Sequence, residues 1–354
     1  MTLQQLLKAS IEQGASDIFI SVGTPPQLRI DGSLVRVKAE VLDDAMAKRL
    51  CYSILTDEQR TRFEETRELD LSFGVKGLAR FRANMFFQKG CVAAAIRRVP
   101  MEIPDLGQLG LPDTIGDLTK MPNGLILVTG PTGAGKTTTI AALIDKINRE
   151  ERGHILTIED PIEYIHNHKR CLVNQREVGP DTWSFKNALK YVLRQDPDFC
   201  LIGEMRDLET IEAALTIAET GHLVFGTLHT NSAIQTINRI VSVFSGEQRD
   251  RIRVMLSFVL QAVISQQLVP GIEGGRVLAY ELFIPTTGIR NLIRENKIHQ
   301  IYGMMQAGQS KTGMVTMNQS LMSLMVSRKI DVRAAFENSP DPEELDGMLK
   351  KAGL

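Results

Sequence analysis

A lysine followed by three threonines, Lys136 to Thr139, closes the run Gly130-Pro131-Thr132-Gly133-Ala134-Gly135-Lys136-Thr137-Thr138. Gly133 and Gly135, lacking Cβ, let the backbone close around an anion with its N–H groups turned inward. Lys136 adds a point charge, and the Thr137 hydroxyl can ligate a hard cation. The spacing is G, any four residues, then G-K-[ST], which suits the phosphates of ATP and their Mg²⁺. With Gly at about 7 % of an average composition, a chain of this length matches by chance roughly once in a hundred. A glycine-rich turn before an ordinary helix would spell the same letters, so the flanks matter. Leu125-Ile126-Leu127-Val128 reads as a buried strand of a parallel sheet, and Ile140, Leu143, Ile144 and Ile147 recur at helical spacing. Strand, loop and helix together aim a helix N-terminus at phosphate oxygens.

The next chemistry lies at the ends of two later apolar runs. "HILTIEDPIEY" carries Glu159, Asp160 and Glu163 at or just past its end, and "DFCLIGEMRD" carries Glu204. Two carboxylate-ended strands after a phosphate loop suit a Mg·ATP site, one acid on the metal side and the other polarising the attacking water. Glu204, after the apolar strand, takes the metal side with Thr137. Glu159 and Glu163 both fit the second role, and solvated acids at strand ends are the plain alternative for Glu159 and Glu204. His222 and His229 flank a further run, "LVFGTL", where a histidine beside a nucleotide could contact the γ-phosphate and sense it. A structural polar contact is the other reading. Metal ligation has no partner cysteine or H-x-x-x-H spacing to support it.

The elements that must position these residues alternate from about residue 115 onward, which predicts a parallel α/β sheet. Strands are expected over 124–129, 154–159, 198–203, 223–228 and 276–283, with a helical region beyond about 287. Residues 1–98 read as a smaller α+β unit. It opens with an amphipathic helix in "TLQQLLKASIEQG" and a hairpin in "QLRIDGSLVRV" turning at Asp31-Gly32. A helix over about 43–53 follows, then a helix begun by a Thr56/Gln59 capping box. A meander turning at Lys76-Gly77 and Lys89-Gly90 completes the unit. Between the units, "VPMEIPDLGQLGLPD" holds three prolines and two glycines with no period, which marks a linker. In "LARFRANMFF", strand period two puts Phe81, Ala83, Met85 and Phe87 on a buried face and Arg80, Arg82 and Asn84 on the other. Arg80 and Arg82 are candidates to meet phosphate, for which a planar guanidinium is well shaped, and Arg97 and Arg98 just before the linker are similar candidates. A solvated strand face is their alternative.

Bulk properties limit the classes of function. The 354 residues carry 41 Lys+Arg against 42 Asp+Glu, a net charge of −1, so a nucleic-acid polyanion is not expected as main partner. No apolar run approaches the ~18–20 residues that span a bilayer. "MTLQQLLKAS" lacks the charged leader and long apolar core of a secretory signal. Cys51, Cys91, Cys171 and Cys200 are scattered with no C-x-x-C pair, so a reducing cytosol is expected and disulfides are not.

In this order and spacing, the loop, "TIEDPIEY", "LIGEMRD" and "GHLVFGTLHT" resemble the phosphate loop, Asp box, Walker B and His box of the type II/IV secretion superfamily ATPases. The resemblance covers essentially the whole chain. "SDIFISVGTPPQLRIDGSL" and "RFRANMFFQ" resemble the family's small PAS-like N-terminal domain, and "GIRNLIRE" and "GMVTMNQSL" are similar to C-terminal motifs of its pilus-retraction branch. The resemblance implies a PAS-like α+β domain over 1–98, a linker over 99–114, a RecA-like P-loop ATPase core over 115–286 and a helical C-terminal region over 287–354. It also implies a ring-shaped homohexamer in which arginines from an N-terminal domain meet ATP held by a RecA-like domain. The family pattern puts the catalytic glutamate at Glu163 and the magnesium-side glutamate at Glu204. Ala134 departs from the commoner G-S-G, losing a hydroxyl while keeping the N–H cradle.

The activity so implied is ATP hydrolysis powering type IV pilus retraction and twitching motility. The motor would be peripheral at the cytoplasmic face of the inner membrane, acting on a platform protein and through it on pilin. The nearest rival is an assembly or export ATPase of the same superfamily, which resemblance suggests would carry a longer N-terminal region and a tetracysteine zinc site. A nucleotide-gated regulator doing no mechanical work is the rival of another class, and the set Lys136, Glu163 and Glu204 counts against it. A DNA-translocating motor predicts a basic stripe that the balanced charge does not supply.

Overall fold

The computed structural model describes residues 1–30, 32–75, 78–99 and 102–353, with backbone alone for 309–311. The Lys76-Gly77 turn, Asp31 of the first hairpin and two residues of the linker therefore lie outside the described residues. The chain forms two compact units, Met1–Glu102 and Ile103–Leu354.

In the first unit, helix α1 (Leu3–Glu12) is capped reciprocally by Thr2 and Gln5 and buries Leu3, Leu6 and Leu7. Strands β1 (Asp17–Ile20), β2 (Gln27–Ile30) and β3 (Ser33–Arg36) precede helices α2 (Asp44–Tyr52) and α3 (Asp57–Thr66). The expected Thr56/Gln59 box starts α3. A meander of β4 (Glu68–Val75), β5 (Ala79–Gln88) and β6 (Cys91–Val99) follows. Lys89 and Gly90 both take positive φ, as a two-residue hairpin turn between right-twisted strands requires. The antiparallel sheet runs β3-β2-β1-β6-β5-β4. Along β5, Ala79, Phe81, Ala83 and Met85 are buried in the core with Phe63 and Ile96, while Arg80 and Arg82 face the other way.

The second unit is built on a sheet ordered β13-β12-β7-β11-β10-β8-β9. Its strands are β7 (Gly124–Thr129), β8 (His154–Glu159), β9 (Leu172–Glu177), β10 (Phe199–Ile202), β11 (Leu223–Leu228), β12 (Leu260–Pro270) and β13 (Arg276–Phe283). All neighbours pair parallel except β12 and β13. The expectation of a wholly parallel sheet is corrected there, because the two strands form a hairpin whose Gly274 and Gly275 supply the positive φ. The helices are α4 (Asp113–Asp117), α5 (Lys136–Glu150), α6 (Phe185–Val192), α7 (Leu208–Glu219), α8 (Ala233–Ser242), α9 (Gly246–Val259), α10 (Thr287–Arg294), α11 (Ile301–Thr312), α12 (Met317–Val326), α13 (Val332–Glu337) and α14 (Pro342–Ala352).

Both sheet faces are covered, which is why β7 is a continuous apolar run. Leu125 and Leu127 pack with residues of α7, α9 and α10 on one face. Ile126 and Val128 pack with Ile140, Leu143 and Ile144 of α5 on the other. Leu111 and Ile115 join this second cluster, so the proline-rich segment packs on the second unit from Leu106 onward. In α10, Ile289 and Ile293, one turn apart on the same face, are buried. Arg290 lies off the Ile289/Ile293 face of α10 yet is tied into the fold. Its guanidinium donates to the carbonyls of Ser257 (2.7 Å) and Phe258 (3.0 Å) and to Gln261 Oε1 (3.0 Å), closing the carboxyl end of α9.

Candidate nucleotide site

The phosphate loop leaves the carboxyl end of β7 at Gly130 and enters α5 at Lys136. A Cβ on Gly130 would fall 2.2 Å from the carbonyl oxygen of Gln266, so glycine is demanded by close approach of two backbones. Gly133 and Gly135 take φ of 81° and 85°, the left-handed conformation a side chain resists. No side chain caps the N-terminus of α5, which leaves its first amides to an anion. Lys136 is buried and folds back, its Nζ 2.8 Å from Gly130 O and 2.9 Å from Pro131 O. Burial pulls this ammonium below the usual lysine range, and the charges of Glu204 and Glu163 oppose the drop. A loop of inward amides with a desolvated cation fits a polyphosphate.

From β12, Ser265 Oγ lies 2.8 Å from Thr129 Oγ1, and Gln266 Nε2 donates to Thr139 Oγ1 at 2.8 Å. The loop is thus braced on both flanks by a strand that spacing did not reveal.

Glu204 follows the carboxyl end of β10. Arg206 grips both its oxygens, with Nε on Oε1 and Nη2 2.6 Å from Oε2, and His229 Nε2 lies 2.7 Å from Oε1. Burial pushes Glu204 up, but the guanidinium and the imidazole outweigh it and hold the carboxyl below the usual glutamate range. An ionised carboxylate and the Thr137 hydroxyl on one sheet edge are the hard oxygen donors that would hold Mg²⁺. His229 follows the carboxyl end of β11 at this edge. His222 precedes β11 and so lies at the opposite edge, its Nδ1 3.0 Å from Ile217 O and 3.2 Å from Thr220 Oγ1. The sensor reading is therefore corrected for His222, which caps the turn after α7.

The structure also separates the two Asp-box glutamates. Glu159 ends β8, is only 7 % exposed, and accepts from Thr157 Oγ1 at 2.6 Å and Gln175 Nε2 at 3.0 Å. Burial pushes its carboxyl up to about 7. Beyond it the chain is irregular, and its burial alternates. Ile162, Tyr164 and His166 turn inward, and Glu163 and Ile165 turn out. Tyr164 Oη lies 3.0 Å from Thr138 Oγ1, which joins this loop to the first turn of α5.

Because folded Glu159 keeps its proton to about pH 7 while an unfolded glutamate releases it near about 4.3, its stabilising contribution is present below the lower value. That contribution is lost as pH rises through the upper one, and it is worth on the order of 3 kcal/mol. Glu159→Gln keeps a carbonyl to accept both hydrogen bonds and removes the titration. Thermal melts should show the variant gaining on the parent as pH rises from about 5 to about 8. An unchanged pH slope would mean that Glu159 is already ionised in the fold. Glu281, also buried and pushed up to about 7, should leave a residual slope.

In the first unit, Arg82 faces Arg97 across the β5–β6 ladder, and Arg80 stands one pleat further along the same face. Arg97 is engaged within its own sheet, Nε 2.7 Å from Asp17 Oδ1, and Arg29 lies 3.7 Å from the same carboxylate. Residues that spacing missed are Arg206, Tyr164 and Gln175. Each is polar, follows no motif rule, and is defined only by what the fold brings to it.

A phosphate loop ending a central parallel strand, with carboxylates at the same ends of the parallel strands β10 and β8 beyond β11, defines a P-loop nucleoside triphosphatase of RecA-like architecture. A match to the family described as Type II/IV secretion system protein covers residues 1–274. Over 343 residues the chain is 50 % identical to the type IV pilus retractation ATPase PilT of Pseudomonas aeruginosa, covering 97 % of this chain and 99 % of that one. It is 44 % identical over 345 residues to a twitching motility protein of Neisseria gonorrhoeae, covering 97 % and 92 %. Among solved structures, that of the pilus retraction motor PilT with bound ADP matches with a TM-score of 0.94 at 54 % identity, covering 98 % of this chain and all of that one. The chain belongs to the type II/IV secretion system protein family, and within it is an ATPase with an N-terminal α+β domain and a RecA-like domain.

Proposed function

We propose that this chain is the motor of type IV pilus retraction, a Mg²⁺-dependent ATPase working as a homohexamer to withdraw pilin and drive twitching motility. The observation that carries this reading is the 50 % identity to a retraction ATPase over 97 % of this chain and 99 % of that one, and the phosphate loop with Glu163 and Glu204 supports it. Gly130 to Thr138 hold the phosphates. Lys136 neutralises the β- and γ-phosphate oxygens, and Thr137 and Glu204 would hold Mg²⁺. When bound, the ion offsets the charge that builds on the transferring phosphoryl group. Glu163, exposed and free to meet water, polarises the nucleophile, and His229 reports the γ-phosphate to Glu204. Arg82, with Arg80 and Arg97 on the same face, serves the site of a neighbouring subunit.

The partners follow from that role: an inner-membrane platform protein and, through it, pilin, with no nucleic acid. The motor is cytoplasmic and peripheral to the membrane. Among the described residues no helix is long and apolar enough to cross a bilayer. Assembly or secretion by a related ATPase is the alternative, and the two predict opposite phenotypes. Deleting the gene and counting surface pili by electron microscopy should give hyperpiliated cells that do not twitch. Bald cells would assign the chain to assembly. Unchanged pili with altered expression of pilus genes would favour the regulator.

A further inference from the structure

The loop that carries Glu163 is part of no strand ladder among the described residues, yet it is held at every inward residue. The holding groups are side chains of β9, the last strand of the sheet. Gln175 donates from Nε2 to Tyr164 O at 2.9 Å and accepts at Oε1 from His166 N–H at 2.8 Å. The same Nε2 donates to Glu159 Oε1 at 3.0 Å. Two residues along, on the same face of β9, Glu177 Oε2 accepts from Ile162 N–H at 3.3 Å. One primary amide thus satisfies a backbone carbonyl, a backbone N–H and a buried carboxyl, and its neighbour satisfies the N–H on the other side of Glu163. The residues immediately before and after Glu163 are both fixed, and Glu163 alone between them is left exposed.

We propose that Gln175 is a positioning residue for ATP hydrolysis, acting through Glu163 by pinning the backbone of residues 164 and 166 to the edge of the sheet. The proposal rests on the reading of Glu163 as the residue that polarises water. A hydrolytic carboxylate must be held near its working geometry, since a misplacement on the order of 1 Å costs roughly 10²-fold in rate. The side-chain amide does here what a neighbouring strand's backbone would do, while keeping Glu163 on the open side. The Tyr164–Thr138 contact ties the far side of the same loop to the helix that grips phosphate, so Gln175 sets Glu163 against the loop and not merely against β9.

The test uses the full chain and ATP turnover. Gln175→Met keeps the volume and removes all three hydrogen bonds. Its kcat should fall about 10²-fold, with KM for ATP and affinity for a fluorescent ADP analogue within threefold of the parent. Combined with Glu163→Gln, it should lower the residual rate no further, because the residue it positions is already disabled. A parent-like kcat in Gln175→Met, while Glu163→Gln is inactive, overturns the positioning role and leaves the Glu163 reading standing. A further drop in the double variant, or loss of ADP affinity in step with kcat, also overturns it. Parent-like turnover in Glu163→Gln itself would remove the reading beneath. Should Gln175→Met fail to fold, Gln175→Glu replaces it, retaining the acceptor for His166 and losing the donors at pH 8, with the same expected kcat loss.

Discussion

Arg82→Ala should lower ATP turnover about 10³–10⁵-fold while leaving nucleotide binding intact, the loss expected of an arginine supplied in trans to a phosphoryl-transfer site. That corresponds to roughly 4–7 kcal/mol of transition-state stabilisation. Arg82 is a cleaner choice than Arg97, whose removal would also strip Asp17 of a partner inside its own sheet. The decisive measurement mixes two inactive variants, Lys136→Ala and Arg82→Ala. In mixed rings some sites combine an intact phosphate loop from one subunit with an intact arginine from its neighbour. Activity should reappear on mixing. Its absence in rings shown to contain both variants would remove Arg82 from the site.

Glu163→Gln should bind ATP as tightly as the parent and lose hydrolysis by about 10²–10⁴-fold, the range for a positioned acid–base group. Glu159→Gln should keep turnover, because that carboxyl is buried and already committed to Thr157 and Gln175. Single-turnover hydrolysis with both variants side by side checks the pair. The opposite result, with Glu159→Gln inactive and Glu163→Gln near the parent rate, would transfer the role to Glu159.

How far these assignments could be read in advance depends on how local their physics is. The phosphate loop is a covalent neighbourhood: glycines at fixed offsets, an apolar strand before and a helix after are all visible within thirty residues. The alternation of β5 is equally local, and its arginine face follows from the pleat. β12 and β9 escaped for different reasons. β12 runs directly on from α9 without a turn, and Gln261, Ser265, Gln266 and Gln267 interrupt its apolar pattern because they serve the phosphate loop and neighbouring elements. β9 is an edge strand with a polar sequence, and edge strands need only one well-buried face. His222 was separable from His229 on directional grounds. In a parallel sheet the phosphate loop and the working ends of all parallel strands share one edge, and His222 stands before its strand. Gln175 was not separable, since nothing within its own segment says what loop will lie against it.

The hydrogen bonds of Arg290, two to the end of α9 and one to Gln261 of β12, change how defects in the C-terminal helix should be understood. The resemblance to retraction ATPases makes α10 a natural place to look for residues that pull. Through Arg290, α10 and the carboxyl end of α9 form one lever arm, and the chain passes from that end of α9 straight into β12, the strand that braces the phosphate loop. A substitution at Arg290 therefore unbolts a joint before it removes any outward-facing group. Loss of motility at that position reports a slack linkage between catalysis and the arm, as does loss at Arg294, whose guanidinium lies over the Phe258 ring, whereas loss at exposed Glu295 reports what the arm touches.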